Sequence, residues 1–256
     1  MTRISALLAV LVVAVGCAKP PPEFEEVAPA DELYAEGQRI LEGGRLLWVI
    51  PHTDYEAAIE TFQAIIDNYP YSDYAVLAEL AIADAYFDDG KYEEALSYYR
   101  DFTELHPQHE KVAYAIFQSA LCHEQRSHGS NRDQTATLDA LAFLDQLLAT
   151  YPYTEYAGDA ETLWRELRGR LAEQVKRIGD FYLKREEWES AAERYRTLLN
   201  EYPGLGMDAV ALYRLGVCYE EMNRADEAAD IFQAVVQNYQ DSDAAKDAAD
   251  RMASMN

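Results

Sequence analysis

Apolar and small residues recur along this chain in steps of three, four and three, with a fifth marked position five residues further on. The five copies are Tyr55-Ala58-Phe62-Ile65-Pro70, Tyr92-Ala95-Tyr99-Phe102-Pro107, Thr137-Ala140-Leu144-Leu147-Pro152, Trp188-Ala191-Tyr195-Leu198-Pro203 and Ala225-Ala228-Phe232-Val235-Gln240. The first four positions of each copy fall on one face of a helix. The fifth is proline in every copy but the last, and proline cannot continue a helix. The pattern therefore predicts five amphipathic helices that end at one register. Their ends are spaced 37, 45, 51 and 37 residues apart, so the third and fourth repeats carry insertions. Ahead of each striped helix the chain holds a second helical segment with small residues beside aromatics, as in Ala83-Asp84-Ala85-Tyr86 and Gly216-Val217-Cys218-Tyr219. Helix pairs of this length cannot bury an apolar face alone and stack into a solenoid.

The residues between the stripes agree with this division. Asp89-Gly90-Lys91 separates the two helices of repeat two, with Gly90 suited to the left-handed position after a helix. Ser72-Asp73, Thr154 and Asp241-Ser242 follow repeat ends and can cap the next helix. Four features break the regularity. The first repeat has a long break from Gly43 to Thr53, read as a loop, containing Leu46, Leu47, Trp48, Val49 and Ile50. That apolar run either folds back on the core or offers an exposed contact to a partner. Repeat three has its insertion at Arg126 to Asp133, and repeat four has a long first helix from about Tyr156 to Arg185. The stretch from Ser242 to Met252 reads as a helix that caps the end of the stack.

The beginning of the chain is different in kind. Arg3 precedes the apolar run Ile4 to Val15, which is too short to span a bilayer and has the layout of a secretory signal. It ends in Ala14-Val15-Gly16-Cys17, which resembles the lipobox of bacterial lipoproteins. That resemblance implies cleavage before Cys17 and lipidation of its thiol. Residues 1–16 are then a signal peptide, 17–30 a linker with Pro20, Pro21, Pro22 and Pro29, and 31–256 the repeat domain. Ala18 after the cysteine points to the outer membrane, so the expected location is lipid-anchored on its periplasmic face.

Charge narrows the partners. The 256 residues include 46 acidic and 22 basic ones, a net charge of −24, which repels nucleic acid and anionic lipid. Cys122 and Cys218 occupy one register two repeats apart, too far for a disulfide, so both are expected as buried free thiols.

Taken together, these repeats resemble tetratricopeptide repeats, and the whole layout resembles the BamD (YfiO) family of outer-membrane assembly lipoproteins. Tyr69-Pro70-Tyr71-Ser72-Asp73-Tyr74 and Tyr151-Pro152-Tyr153-Thr154-Glu155-Tyr156 carry the likeness most specifically. Arg132-Asp133-Gln134, Leu167-Arg168-Gly169-Arg170-Leu171-Ala172-Glu173 and Phe181-Tyr182-Leu183-Lys184-Arg185 add to it. The apolar run from Leu46 to Ile50 has no counterpart expected in that family. The resemblance implies an all-α superhelical solenoid of five helix pairs plus a C-terminal capping helix. It further implies a scaffold that joins a BamA-like barrel assembly protein and other assembly lipoproteins, and that receives unfolded β-barrel precursors. The alternative is another tetratricopeptide adaptor lipoprotein, coordinating cell-envelope or division proteins.

In tetratricopeptide solenoids the first helices line the inner surface. The inward positions on the register of Gly90 are Leu77, Leu80, Asp84 and Phe87 in repeat two. Tyr114, Phe117, Leu121 and Glu124 follow in repeat three, with Tyr34 in repeat one. Such aromatics either pack as core or form a groove for β-barrel precursors, whose strands alternate apolar and polar residues. A second candidate is basic. From Glu161 to Arg185 seven bases face four acids, and Arg165, Arg168, Lys176 and Arg177 either dock an acidic partner or pair with Glu166, Glu173, Asp180 and acidic neighbours. Catalysis finds no footing. In His123-Glu124-Gln125-Arg126-Ser127-His128 the histidines are five apart, about 140° round a helix, where a zinc pair needs four. No phosphate-binding glycine loop or nucleophile elbow is present, so no catalytic residue, metal or cofactor is expected.

Overall fold

Each of the five stripes becomes the buried face of a helix. The computed structural model describes residues 27–46, 50–127 and 134–255. Its first pair is α1 (Ala30–Leu41) and α2 (Tyr55–Asn68), followed by α3 (Asp73–Asp88) and α4 (Tyr92–Leu105), then α5 (Val112–Ser127) and α6 (Thr135–Thr150). The fourth pair is α7 (Ala157–Lys184) and α8 (Trp188–Glu201), the fifth α9 (Asp208–Glu221) and α10 (Ala225–Asn238), and α11 (Asp243–Met255) packs on α9 and α10 as a cap. Each helix packs on the next in sequence, as in a solenoid. The fold is the expected all-α tetratricopeptide solenoid.

The middle three residues of every stripe, such as Ala95, Tyr99 and Phe102, are fully or almost fully buried. A large apolar side chain buried this way contributes about 1.5–3 kcal/mol, whereas a helix cap contributes about 1. The stripes, more than the punctuation, hold the pairs together. The small residues of the first helices admit the stripe's third residue. A Cβ added to Gly37 would lie 2.5 Å from the Phe62 ring, and one on Gly216 would lie 2.6 Å from Phe232. The Cys122 and Cys218 thiols are buried and free, and burial pushes them up to about 12 and about 11.

Two kinds of turn alternate. Within repeats two, four and five the first helix ends in the same Schellman motif, with Gly90, Glu186 and Asn223 at φ 76°, 60° and 59°. The next residue's N–H reaches back to the carbonyls of Tyr86, Tyr182 and Tyr219 respectively. Between repeats the residue before the stop leaves helical geometry, as at Tyr69 (φ −132°, ψ 49°). Tyr239 does the same (φ −132°, ψ 45°) although Gln240 follows it. Proline is thus not needed for the stop: the helix ends where its stripe ends. Ser72 and Ser242 cap as expected, each accepting a 3.1 Å bond from the N–H three residues on. Thr154 instead bonds the N–H of Tyr156, before α7 begins.

The break in repeat one is not a loop. It holds an antiparallel hairpin, β1 (Gly44–Leu46) with β2 (Ile50–His52), pairing Leu46 with Ile50 and Arg45 with Pro51. The side chains of the apolar run lie outside the described residues, as do Cys17, the leader and most of the linker, and His128 with the inserted loop of repeat three. The linker's last residues are held: the Tyr69 hydroxyl donates to the carbonyls of Val27 (3.2 Å) and Ala28 (3.1 Å). No helix among the described residues is long and apolar enough to cross a membrane.

Candidate functional site

The first helices of three successive repeats, with Tyr156 just ahead of the fourth, converge on one cleft of about 180 Å³. Tyr34 and Gln38 come from α1, and Leu77, Leu80, Ala81 and Asp84 from α3. Lys111 precedes α5, Tyr114 lies in its first turn, and Tyr156 precedes α7. Five of the nine expected inward residues, Tyr34, Leu77, Leu80, Asp84 and Tyr114, therefore meet here, and Leu121 does not line the cleft. Phe87 and Phe117 do not line it: Phe87 packs edge-on against Tyr92 at 5.3 Å, and Phe117 stacks behind Tyr156 at 5.9 Å. Leu80 is mostly core at 6% exposure. Glu124 is buried and bonded to Arg170 at 3.1 Å, away from the cleft.

Sequence reasoning missed Gln38, Ala81, Lys111 and Tyr156. Gln38 had a signal, since it stands in α1 at the register that Asp84 holds in α3. Tyr156 closes the second Tyr-Pro motif. Lys111 lies outside any helix and had none.

Asp84 is the chemical centre of the cleft. Its Oδ1 accepts two 2.6 Å bonds, from the hydroxyls of Tyr99 and Tyr114. Burial pushes its carboxyl above the usual range; the two tyrosine bonds and the charge of Lys111 oppose this, and Asp88 adds to it. Burial, reinforced by Asp84, raises both tyrosines well above their ordinary value, so they remain donors. The walls are aromatic. Tyr34 lies 5.5 Å from Phe62 and 5.6 Å from Tyr74, and Tyr114 lies 5.6 Å from Tyr156. A donor or cation entering this cleft meets a carboxylate floor between tyrosine rings.

The basic candidates on α7 are mostly engaged within the chain. Arg165 pairs with Glu161 at 2.6 Å, and Lys176 lies 3.2 Å from Glu173 and 3.5 Å from Asp180. Arg168 lies between the rings of Trp164 and Tyr202, at 4.8 and 5.2 Å, and donates to the Glu201 carbonyl. Arg177 is exposed and forms no ion pair among the described residues. Beyond it on the same helix Ile178 and Phe181 are exposed.

Of the two histidines in the string, only His123 lies among the described residues. His123 is buried at 7% exposure, stacks on Phe143, and lies 3.6 Å from the Asp139 carboxylate with no bond to Nδ1. Burial lowers its pKa, which keeps it neutral. Among the described residues no three His, Cys, Asp or Glu side chains gather in a metal-binding group.

Comparison with known proteins gives the family. A family model described as YfiO, outer membrane lipoprotein, matches residues 27–231. The chain belongs to this family. The outer membrane protein assembly factor BamD of Vibrio cholerae is 31% identical over 210 residues, covering 78% of this chain and 83% of that protein. BamD of Rickettsia prowazekii is 30% identical over 239 residues, covering 93% and 92%. Among solved structures, the TPR2AB-domain:pHSP90-complex of yeast Sti1 is 15% identical, covers 88% of this chain and 82% of that chain, and aligns with a TM-score of 0.45. Membership of the family makes this an outer-membrane protein assembly factor of the cell envelope.

Proposed function

We propose that the chain is the periplasmic scaffold of the outer-membrane β-barrel assembly machinery, anchored by lipid on Cys17 and holding unfolded barrel precursors in the cleft of α1, α3, α5 and Tyr156. Residues 1–16 are its signal peptide and 17–30 its tether. The observation that supports precursor binding is the convergence of Tyr34, Leu77, Tyr114 and Tyr156 on one cleft with a carboxylate at its floor. An extended segment of alternating apolar and polar side chains finds aromatic walls for the former and Asp84 or Lys111 for the latter. A BamA-like barrel protein and companion lipoproteins are its partners, with the end of α7 around Arg177 and Phe181 as docking surface. Arg168 supports that surface indirectly, by fixing α7 against the end of α8, while Arg165 and Lys176 pair along α7 itself.

A photoreactive residue in place of Leu77 tests the precursor reading in cells. Crosslinks to unfolded barrel proteins are expected from that site and not from the exposed Leu105 on α4. Equal labelling from both sites would sink the reading. For the docking surface, Arg177→Glu is the informative change, because it disturbs no internal pair. Undiminished co-purification of the barrel protein would remove α7 from the interface.

A further inference from the structure

Asp84 and Asp180 hold the same position in repeats two and four, and each accepts a bond from the stripe tyrosine fifteen residues further on, Tyr99 at 2.6 Å and Tyr195 at 2.7 Å. Their other partners differ. Asp180 is completed by the guanidinium of Arg214 from the following repeat, while its second oxygen faces the Lys176 ammonium at 3.5 Å. In repeat three the register of Arg214 is held by Gln118, which brings no charge and whose buried Oε1 has no partner. Tyr114 bonds Asp84 instead, on the oxygen that Tyr99 already uses. Asp84 Oδ2 accepts no hydrogen bond from any described residue. Lys111 lines the cleft but forms no ion pair with Asp84.

We infer that the Asp84 cleft is a subsite for a basic side chain, an arginine above all, carried by the extended polypeptide that occupies the groove. This rests on the reading that the cleft binds polypeptide. The molecule itself displays the completed form of such a site at Asp180. It also shows how arginine is held between aromatic rings, at Arg168 between Trp164 and Tyr202. A guanidinium donates to Asp84 Oδ2 from its edge while its face lies on Tyr34 or Tyr156, a combination that an ammonium satisfies less well. The net charge of −24 favours the approach of a basic segment. Lys111 opposes the same ligand and sets a threshold against weakly basic ones.

The test measures fluorescence anisotropy of labelled peptides on the detergent-solubilised full chain. Three peptides alternate tyrosine and threonine and differ only in a central arginine, glutamine or glutamate. The arginine peptide is expected to bind about tenfold more tightly than the glutamine one, the worth of one charge-assisted bond. Asp84→Asn erases that preference, so that the arginine peptide binds no more tightly than the glutamine one, while Lys111→Ala tightens the arginine peptide. Should Asp84→Asn fail to fold, Lys111→Ala still decides, because its side chain lines the cleft without pairing. Equal binding of arginine and glutamine peptides overturns the subsite and leaves polypeptide binding standing. Tightest binding of the glutamate peptide, weakened by Lys111→Ala, also overturns it, in favour of an anion site. Failure of all three peptides to bind overturns the groove reading as well.

Discussion

Repeats two and four start from the same parts and end with different tasks. Each has a small residue in the core beside a stripe tyrosine, Gly179 directly against Tyr195 and Ala83 in one buried cluster with Tyr99, and each places an aspartate directly after that small residue. In repeat four the aspartate is neutralised by Arg214 and Lys176, so the site is closed. Burial pushes Asp180 upward, but the Tyr195 bond and Arg214 together outweigh it, and the carboxyl sits below the ordinary range. In repeat two no cation pairs with the aspartate, and burial leaves Asp84 above that range. One register position thus serves structure at one place and keeps a reactive acceptor open at another. The difference lies in the following repeat, where Arg214 stands against Gln118.

The largest effect should come from breaking the closed site. Asp180→Asn leaves Arg214 half-buried without its counter-charge and is expected to cost about 2 kcal/mol, because an unpaired charge away from water is worse than no pair. Asp84→Asn removes a charge that lacks a cation and keeps an acceptor for Tyr99, so it should cost under about 1 kcal/mol or stabilise slightly. Chemical denaturation of both variants measures the contrast. A larger loss for Asp84→Asn would reverse the assignment of structural and open sites.

Next comes conversion of one site into the other. Repeat five carries Val210 and Arg214 where repeat three carries Tyr114 and Gln118. The double change Tyr114→Val with Gln118→Arg therefore writes the closed site into the cleft. It should bring the Asp84 carboxyl from above to below the ordinary range, and abolish any preference for an arginine peptide. Nuclear magnetic resonance titration of the carboxyl carbon follows the first effect directly. An unchanged titration would show that position in the solenoid, rather than the residue at Gln118, keeps Asp84 open.

Acid separates the two aspartates by sign. The depressed pKa of Asp180 contributes stability that is present above the unfolded value, about 3.9, and lost as pH falls through that value toward the folded one. For Asp84 the folded pKa is raised, so its cost to stability is full above the folded value and relieved as pH falls through it toward the unfolded one. Moving from neutral pH into the acid range, Asp84→Asn should lose whatever advantage it holds over the natural chain. Asp180→Asn should instead narrow its deficit. Thermal unfolding across that range gives both slopes, and parallel slopes would mean the two carboxyls share one environment.

How much of this contrast was legible in the sequence follows from what each feature depends on. The stripes were fully legible, since helical period and burial are the same constraint seen twice, and all fifteen middle positions of the five copies are buried or nearly so. Asp84 was legible as an inward position but not as an open one, because its openness is decided by Gln118, thirty-four residues later in the chain. The cleft drew on four repeats, and no local pattern reveals that Lys111 and Tyr156 arrive beside Tyr34. For the same reason the sequence leaves the cations of α7 open between docking and pairing, whereas in the fold their partners are Glu124 on α5 and the Glu201 carbonyl at the end of α8 as well as acids of α7 itself. Proline was over-read: α10 stops before Gln240 just as its siblings stop before Pro70 or Pro152. The hairpin was missed because three-residue strands leave too short an alternation to recognise.

The smallest expected effect concerns the turns of the same two repeats. Gly90 and Glu186 occupy one position of the Schellman motif, and both have positive φ, 76° and 60°. Glycine adopts this geometry freely, whereas a side chain pays about 1–2 kcal/mol for its Cβ against the following carbonyl. Glu186→Gly removes that strain but gives the unfolded chain more freedom to lose, roughly 0.5–1 kcal/mol. The net gain should be no more than about 1.5 kcal/mol, seen as a small rise in the denaturation midpoint with an unchanged slope. Gly90→Glu should show the reverse loss. If both substitutions were neutral, the left-handed turn would be held by the flanking helices at no local cost, and the two repeats would differ only in what surrounds their aspartates.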